Sequence, residues 1–279
     1  MGTLYICGTP IGNIEDITLR VLRILKEADL IAAEDTRQSV KLLNHYDIKT
    51  PLTSYHEHNK EEKGKILLAQ LLEGKNIALV TDAGMPGISD PGEDMIKLCY
   101  ENNVPVTVVP GATAAVTALV LSGLSSRSYV FEGFLPSNKH ARADVLEGLK
   151  RQTATIIIYE APHHLQKTLA ELADTLGARP AAAVKELTKR YENVNRMPLT
   201  ELAKYYEENE PKGEFVIIIE GTDYQSLKAE KEQEMSQMSV EEHFKMYIGK
   251  GMDEKSAMKA TAKDRGMGKR EIYEILKKK

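Results

Sequence analysis

Cysteine is scarce in these 279 residues: only Cys7 and Cys99 occur. Two isolated thiols supply neither a disulfide framework nor a zinc site, and they suit a reducing compartment. Long apolar runs are missing too. The longest, Ala112–Leu124, falls short of the ~20 residues that a bilayer-spanning helix needs. The start, MGTLYICGTP, has no basic segment followed by an apolar one, so no signal peptide is expected, and Ile6 breaks the myristoylation pattern. These absences predict a cytoplasmic protein with no membrane contact. There is no cationic excess: the net charge of −4 does not advertise nucleic-acid binding, although a local basic patch can hide inside it. Walker A, G-x-G-x-x-G and G-x-S-x-G motifs are all absent, which removes the commonest phosphate-cradling and hydrolase readings. No long repeat, low-complexity tract or metal site is expected.

What is present is an alternation of short apolar runs with amphipathic stretches. Strands are predicted at Leu4–Cys7, Ala28–Ala33, Leu52–Tyr55, Ile77–Val80 and Val104–Val109, each followed by a helical pattern. Leu19, Leu22 and Leu25 are expected on one face of the first helix, with Asp16 or Thr18 as its cap. Such alternation implies βαβ units and a parallel sheet with right-handed crossovers.

The residues that end those strands matter most. They are Gly8-Thr9-Pro10, Glu34-Asp35-Thr36-Arg37, His56-Glu57-His58-Asn59, Asp82-Ala83-Gly84 and Pro110-Gly111. In a parallel sheet all of them fall on one edge, the edge where open α/β folds bind ligands. The richest is the stretch Asn76–Gly92: a buried strand delivers Asp82 into a loop that Gly84, Pro86, Gly87 and Pro91 keep from becoming helix.

A second half follows a linker at Ser125–Tyr129. Strands are predicted at Val130–Phe134, Thr155–Tyr159, Ala181–Val184 and Phe215–Glu220, with mixed pairing of undetermined order. A polar linker over Tyr224–Met238 leads to three short helices separated by glycine turns, the first opened by the capping box Ser239–Glu242. This is a small bundle of helix-turn-helix type. Lys255, Lys259 and Lys263 recur every fourth residue on one helix face, and Arg265, Lys269, Arg270 and Lys277-Lys278-Lys279 add basic character. Such a stripe is either a solvated face or a nucleic-acid contact.

Taken together, Thr9-Pro10-Ile11-Gly12-Asn13, Glu34-Asp35-Thr36-Arg37, Asp82-Ala83-Gly84, Ile88-Ser89-Asp90-Pro91-Gly92, Gly133-Phe134-Leu135-Pro136, Tyr159-Glu160 and Glu186-Leu187-Thr188-Lys189 are specific. A chain carrying them from Leu4 to about Gly221 resembles the small-subunit (16S) ribosomal RNA ribose 2′-O-methyltransferases of the tetrapyrrole methylase superfamily. Met85, Ala161, His164 and Lys185 depart from the pattern, which usually has Thr, Ser, Arg and Arg there.

The resemblance implies an α/β, two-domain tetrapyrrole-methylase-like fold (the class III methyltransferase fold) with a small C-terminal helical domain. The divisions are 1–124, 125–224 and 239–279, with S-adenosyl-L-methionine in the cleft between the first two. It implies a homodimer acting on a cytidine ribose, in free small-subunit rRNA or in the assembled 30S subunit. By the same analogy Pro10, Ile11, Gly12, Asp82, Ala83, Gly84, Met85, Thr113, Ala114, Glu160, Glu186, Leu187 and Phe215 surround the cofactor. A sugar hydroxyl must be held in line with an electrophilic methyl and must lose a proton. Asp35, Arg37, His56, His163 and Lys189 are the candidates for RNA-facing chemistry, with the base undetermined; Asp35 and Arg37 read equally as a local ion pair. A small-molecule methylase of the same fold and a non-catalytic RNA-binding module are the competing readings.

Overall fold

The structure, a computed structural model, describes residues 1–225, 227–228 and 238–277. Most of the expected linker over Tyr224–Met238 lies outside the described residues, as do Lys278 and Lys279. The chain forms two compact units, Met1–Gly221 and Thr222–Lys279.

The first unit contains two five-stranded sheets. In the first, β1 (Leu4–Cys7), β2 (Leu30–Ala33), β3 (Leu52–Ser54), β4 (Ile77–Val80) and β5 (Val106–Val109) are ordered β3-β2-β4-β1-β5 and are all parallel. Side chains alternate faces along a strand. Cys7, Ile31, Ala33 and Val80 therefore pack beneath α1 (Leu19–Glu27) and α2 (Thr36–His45), while Leu4, Ile6, Leu79 and Ala32 meet α3 (Lys60–Leu72) and α4 (Gly92–Glu101) on the opposite face. Burial on both faces is why these strands read as unbroken apolar runs.

One helix face differs from expectation. Val21, Ile24 and Leu25 are buried on α1, whereas Leu19 is 86% exposed. The Thr18 side chain caps α1 by accepting from Val21 N, and with 3.6 residues per turn Leu19 lies on the side opposite the arc of Val21, Ile24 and Leu25, away from the sheet.

The second sheet has the order β6-β7-β10-β8-β9, formed by β6 (Tyr129–Phe134), β7 (Thr155–Glu160), β8 (Pro180–Lys185), β9 (Asn193–Pro198) and β10 (Phe215–Ile219). Only β6 and β7 pair in parallel; β10 and β9 run antiparallel to their neighbours. One face buries Ile156, Ile158, Ala183 and Ile217 against α6 (Lys139–Lys150), α7 (Pro162–Leu176) and α8 (Leu199–Glu208). The other face, with Ile157, Ala182, Val184 and Ile218, receives Ala115, Ala118 and Leu119 of α5 (Ala114–Ser122). So α5 leaves the first sheet and covers the second. Only one face of α5 is buried there; Val116 and Val120, equally apolar, are exposed on the helix.

The strand β9 is absent from the sequence-based expectation. Its sequence, NVNRMP, has poor β-propensity, and it lies at a sheet edge where polar residues are tolerated. Arg196 on it donates to the Ser122 carbonyl at 2.8 Å and also to the Leu121 carbonyl, closing the C-terminus of α5.

The second unit contains α9 (Val240–Gly249), α10 (Glu254–Asp264) and α11 (Lys269–Lys277). The Ser239–Glu242 capping box is formed, and Asp253 caps α10. Among the described residues its core consists of Ala257, Thr261, Ala262, Ile272 and a fully buried His243. Lys255, Lys259 and Lys263 are exposed along α10.

Candidate active site

Parallel strands bring their carboxyl ends to one edge, and an antiparallel strand brings its amino end there. Hence Phe215, the first residue of β10, is in register with Glu160 and Lys185, the last residues of β7 and β8. Where these ends face the loops of the first sheet there is a cleft of about 510 Å³, within the usual range for small-ligand sites.

The loop between β4 and α4 forms one wall. It is anchored to the loop after β1: Thr9 N donates to Gly84 O at 2.8 Å, Gly84 N returns a bond to Thr9 O at 3.2 Å, and Thr9 Oγ1 donates to Thr81 O at 3.1 Å. Gly84 has a φ of +85°, which an L side chain adopts only with strain. Further along, Asp90 Oδ1 accepts from Gly87 N and Gly92 N, both at 2.8 Å, so one carboxylate oxygen holds the turn together.

Asp82 and Glu34 interlock across the first sheet. Asp35 N donates to Asp82 Oδ1 at 3.0 Å, while Glu34 Oε2 accepts from Thr81 Oγ1 at 2.6 Å and from Asp82 N at 3.4 Å. Burial raises the pKa of Asp82; the bond from Asp35 N opposes this, and the neighbouring Glu34 and Asp35 charges add to it. Burial likewise raises Asp90, against the bonds from Gly87 N and Gly92 N. On the opposite wall the buried Glu160 accepts from Ala161 N at 2.9 Å and from Thr168 Oγ1 at 2.5 Å. Arg142 in turn donates to Thr168 Oγ1 at 2.6 Å, which fixes the direction of that hydroxyl.

Among the described residues, those bordering the cleft include five acids, Glu34, Asp82, Asp90, Glu160 and Glu214, and no Lys, Arg or His. Ile11, Val184, Leu187, Phe215 and Val216 supply an apolar side. Such a cavity suits a ligand that joins a flat apolar part to a positive charge, and it repels phosphate.

The residues expected around the cofactor divide as follows. Ile11 borders the cleft, as do Asp82, Ala83, Gly84 and Met85 of the β4 loop and Thr113 and Ala114 at the start of α5. Glu160, Leu187 and Phe215 border it from the second sheet. Pro10, Gly12 and Glu186 do not. Gly12 instead lies against the loop after β8, where a Cβ would come within 2.6 Å of Lys189 Cγ, 2.7 Å of Thr188 Oγ1 and 2.9 Å of Leu187 O. Asn13 N donates to Thr188 Oγ1 at 3.0 Å and closes this seam. Glu186, at a φ of +50°, accepts from Glu214 N and Lys189 Nζ. Burial pushes the Glu186 pKa up, but those two donors outweigh it and the net shift is downward.

None of Asp35, Arg37, His56, His163 or Lys189 borders the cleft. Asp35 caps α2 by accepting from Arg37 N at 2.8 Å and pairs with the Arg37 guanidinium at 2.7 Å. The side-chain bond to Arg37 is the main reason its pKa falls to about 2. His56 follows the edge strand β3, and its backbone N–H donates to Asn59 Oδ1 at 2.9 Å. His163 is exposed on the first turn of α7, its ring centroid 4.1 Å from that of His164. Lys189 Nζ is held by Glu214 at 2.7 Å and Glu186 at 3.1 Å.

Cleft residues that sequence reasoning did not assign include Glu34, Ser89, Asp90, Phe134, Tyr159 and Glu214. The first five belong to motifs already singled out; Glu34, Phe134 and Tyr159 lie at strand ends, and Ser89 and Asp90 in the loop after β4, which is a usable signal. Glu214 precedes a strand, and only the antiparallel direction of β10 brings it to this edge.

Residues 3–203 match the family of Tetrapyrrole (Corrin/Porphyrin) Methylases. The chain is 50% identical over 275 residues, 98% of its own length and 94% of the relative's, to the Ribosomal RNA small subunit methyltransferase I of Halalkalibacterium halodurans. It is 46% identical over 274 residues, with the same coverage, to the protein of that name from Bacillus subtilis. The crystal structure of Uroporphyrin-III C-methyl transferase from Thermus thermophilus complexed with S-adenyl homocysteine shares its fold, with a TM-score of 0.57 at 21% identity, over 78% of this chain and 97% of that one. Identity of that order along nearly the whole of both chains, added to the domain match, makes this chain a member of the tetrapyrrole methylase family.

Proposed function

We infer that this protein transfers the methyl group of S-adenosylmethionine to a ribose 2′-oxygen, that of a cytidine, in small-subunit (16S) ribosomal RNA. The observation that carries the reading is the joint one: 46% and 50% identity over nearly the full length to relatives named for small-subunit rRNA methyl transfer, and a cleft lined by carboxylates with no Lys, Arg or His among its described lining residues. When bound, the cofactor supplies a methyl made electrophilic by a sulfonium cation. The chain's residues do the rest by binding and orienting. Asp82 and Glu34 provide negative charge toward that cation, Gly84 and the Thr113-Ala114 turn allow close approach, and Ile11, Leu187 and Phe215 exclude water from the apolar part.

The proposed RNA approach lies outside the cleft, where Arg37 is exposed and tied at one side to Asp35, where His163 follows the cleft residue Pro162, and where Lys189 comes shortly after the cleft residue Leu187. His56 is assigned there by its strand-end position. The exposed lysines of α10 add a candidate RNA contact in the small helical unit. The domain divisions at 1–124, 125–224 and 239–279 are proposed with support from the sheets, since β1–β5 fall in the first and β6–β10 in the second. A homodimer is supported by apolar residues left open on α5 and the edge strand β5: Val120 is 72% exposed, and Val116 and Val108 are exposed too. No helix among the described residues is long and apolar enough to cross a membrane, and a cytoplasmic location is proposed.

The test is to map 2′-O-methyl groups on small-subunit rRNA with and without the protein, and to offer radiolabelled cofactor with ribosomal subunits or with porphyrin precursors. One new methyl on the rRNA is expected; label in the porphyrin arm alone overturns the assignment.

A further inference from the structure

Two large apolar side chains face solvent inside the cleft. Phe134 is 58% exposed and Ile88 48%, and both border it. Single exposed apolar residues need no explanation. These two occupy adjoining segments: a Cβ on Gly133 would sit 3.2 Å from Ser89 Oγ, so the loop carrying Ile88 lies against the end of β6 carrying Phe134.

Local structure holds each in that position. The β6–β7 register shifts between Phe131 and Gly133, and Gly133 has a φ of +63°. A bulge re-aims the side chain that follows it, here Phe134. The ring is braced edge-on by Tyr159, with centroids 5.7 Å apart and planes at 65°. Tyr159 is fixed in turn by Phe131 at 4.9 Å and by the Ala115 N–H, which donates to its hydroxyl at 3.0 Å. Ser89, next to Ile88, has a φ of +65°, a strained conformation for a residue with a side chain, of the kind that collects at ligand clamps. An aromatic face has been left open and stiffly supported.

Resting on the rRNA methyl transfer proposed above, we propose that Phe134 and Ile88 seat the nucleobase of the target nucleotide, which enters the cleft unstacked from its neighbours. The charge of the cleft selects that part of the RNA. Its acids repel phosphate and no Lys, Arg or His among the described lining residues compensates, whereas a neutral base and its ribose enter freely. A base drawn out of its stack loses stacking energy, and an open phenyl face restores part of it for any base. Phe134 and Ile88 are thus substrate-positioning residues that touch the base.

The experiment measures steady-state methyl transfer by the full-length protein to small ribosomal subunits, beside calorimetry with S-adenosylhomocysteine, for wild type and for Phe134→Ala, Phe134→Leu and Phe134→Tyr. Loss of one base–aromatic stack is expected to raise KM for RNA by about 5- to 100-fold in Phe134→Ala. Phe134→Tyr should stay within about threefold of wild type, and Phe134→Leu should fall between them. Affinity for S-adenosylhomocysteine should stay within about twofold in all, which also reports that each variant is folded. An unchanged KM in Phe134→Ala overturns the proposal. So does a Leu variant equal to the Tyr variant, or a parallel loss of S-adenosylhomocysteine affinity, which assigns the ring to the cofactor. Wild type that transfers no methyl to RNA overturns the functional reading and this proposal together; wild-type transfer with an indifferent Phe134 overturns this proposal alone.

Discussion

Gly12→Ala tests whether the seam between the two sheets sets the shape of the cofactor cleft. Gly12 has no positive φ, so alanine brings no backbone strain there, and the perturbation is one methyl group. That methyl would lie 2.6 Å from Lys189 Cγ, where ordinary contact begins at 3.4 Å, so about 0.8 Å must be found. The neighbours resist in different degrees. Lys189 is tethered through its ammonium to Glu186 and Glu214, Thr188 Oγ1 is accepting the Asn13 N–H bond, and the third obstacle, Leu187 O at 2.9 Å, is backbone. Overpacking of this kind costs about 1–3 kcal/mol. A fall in Tm of about 2–10 °C follows at this chain length. Ile11 and Leu187, each beside a clashing residue, both border the cleft. Displacing them by a good fraction of an ångström should weaken S-adenosylhomocysteine about tenfold, a change of ~1.4 kcal/mol. Thermal denaturation and titration calorimetry on the same preparation read both effects. A variant with wild-type Tm and a Kd within about twofold would show that the loop after β8 moves freely, and the argument that Gly12 fixes the cleft would be wrong.

Gly148→Ala is the opposite case: Gly148 lies exposed within α6, and nothing stands within 4 Å of the place its new methyl group would take. The variant should be more stable by about 0.5–1 kcal/mol in urea melts. Because burial raises the Asp82 pKa, its negative charge is lost at a higher pH than an ordinary aspartate's. Affinity for S-adenosylmethionine should therefore begin to weaken on acidification at a higher pH than an ordinary aspartate would give, and Asp82→Asn should bind weakly with that pH dependence removed; an unaltered profile in the variant rules Asp82 out as its source. Asp35 has the opposite sign. Its pKa is held down to about 2 by Arg37, so its contribution to stability is complete above the ordinary value of 3.8 and disappears as pH falls toward 2. The Tm gap between wild type and Asp35→Asn should be constant above about pH 5 and should close in acid. Replacing Lys255, Lys259 and Lys263 together by alanine should weaken RNA binding and lower the slope of log K against log salt by about 2; an unchanged slope removes α10 from the interface.

The exposed α1 residue Leu19 and the unforeseen strand β9 show where local pattern stops being informative. Leu19, Leu22 and Leu25 suggest one apolar arc, but the sheet takes up the arc of Val21, Ile24 and Leu25, which leaves Leu19 on the opposite side. β9 lacks the apolar alternation that marks a strand, and it exists because the edge of β8 offers its backbone a partner. The cleft shows the same limit. Ile11, Asp82, Gly84, Glu160 and Leu187 end strands and reach it, yet His56 and Arg37 also follow strands of the first sheet and do not. Every parallel strand ends at that edge, but the second sheet faces only part of it.

By itself the sequence determined the strands and helices of the first sheet and the edge at which chemistry collects. Alternating apolar runs and amphipathic stretches are a local property, and parallel strands have no choice about where their carboxyl ends lie. Only the tertiary structure decided which of those ends share a cavity. Strand order, the crossing of α5 to the second sheet and the reversed direction of β10 are long-range pairings, fixed by contacts between residues far apart in the chain, and they bring Glu214 and Phe215 to Asp82 while leaving the histidines outside.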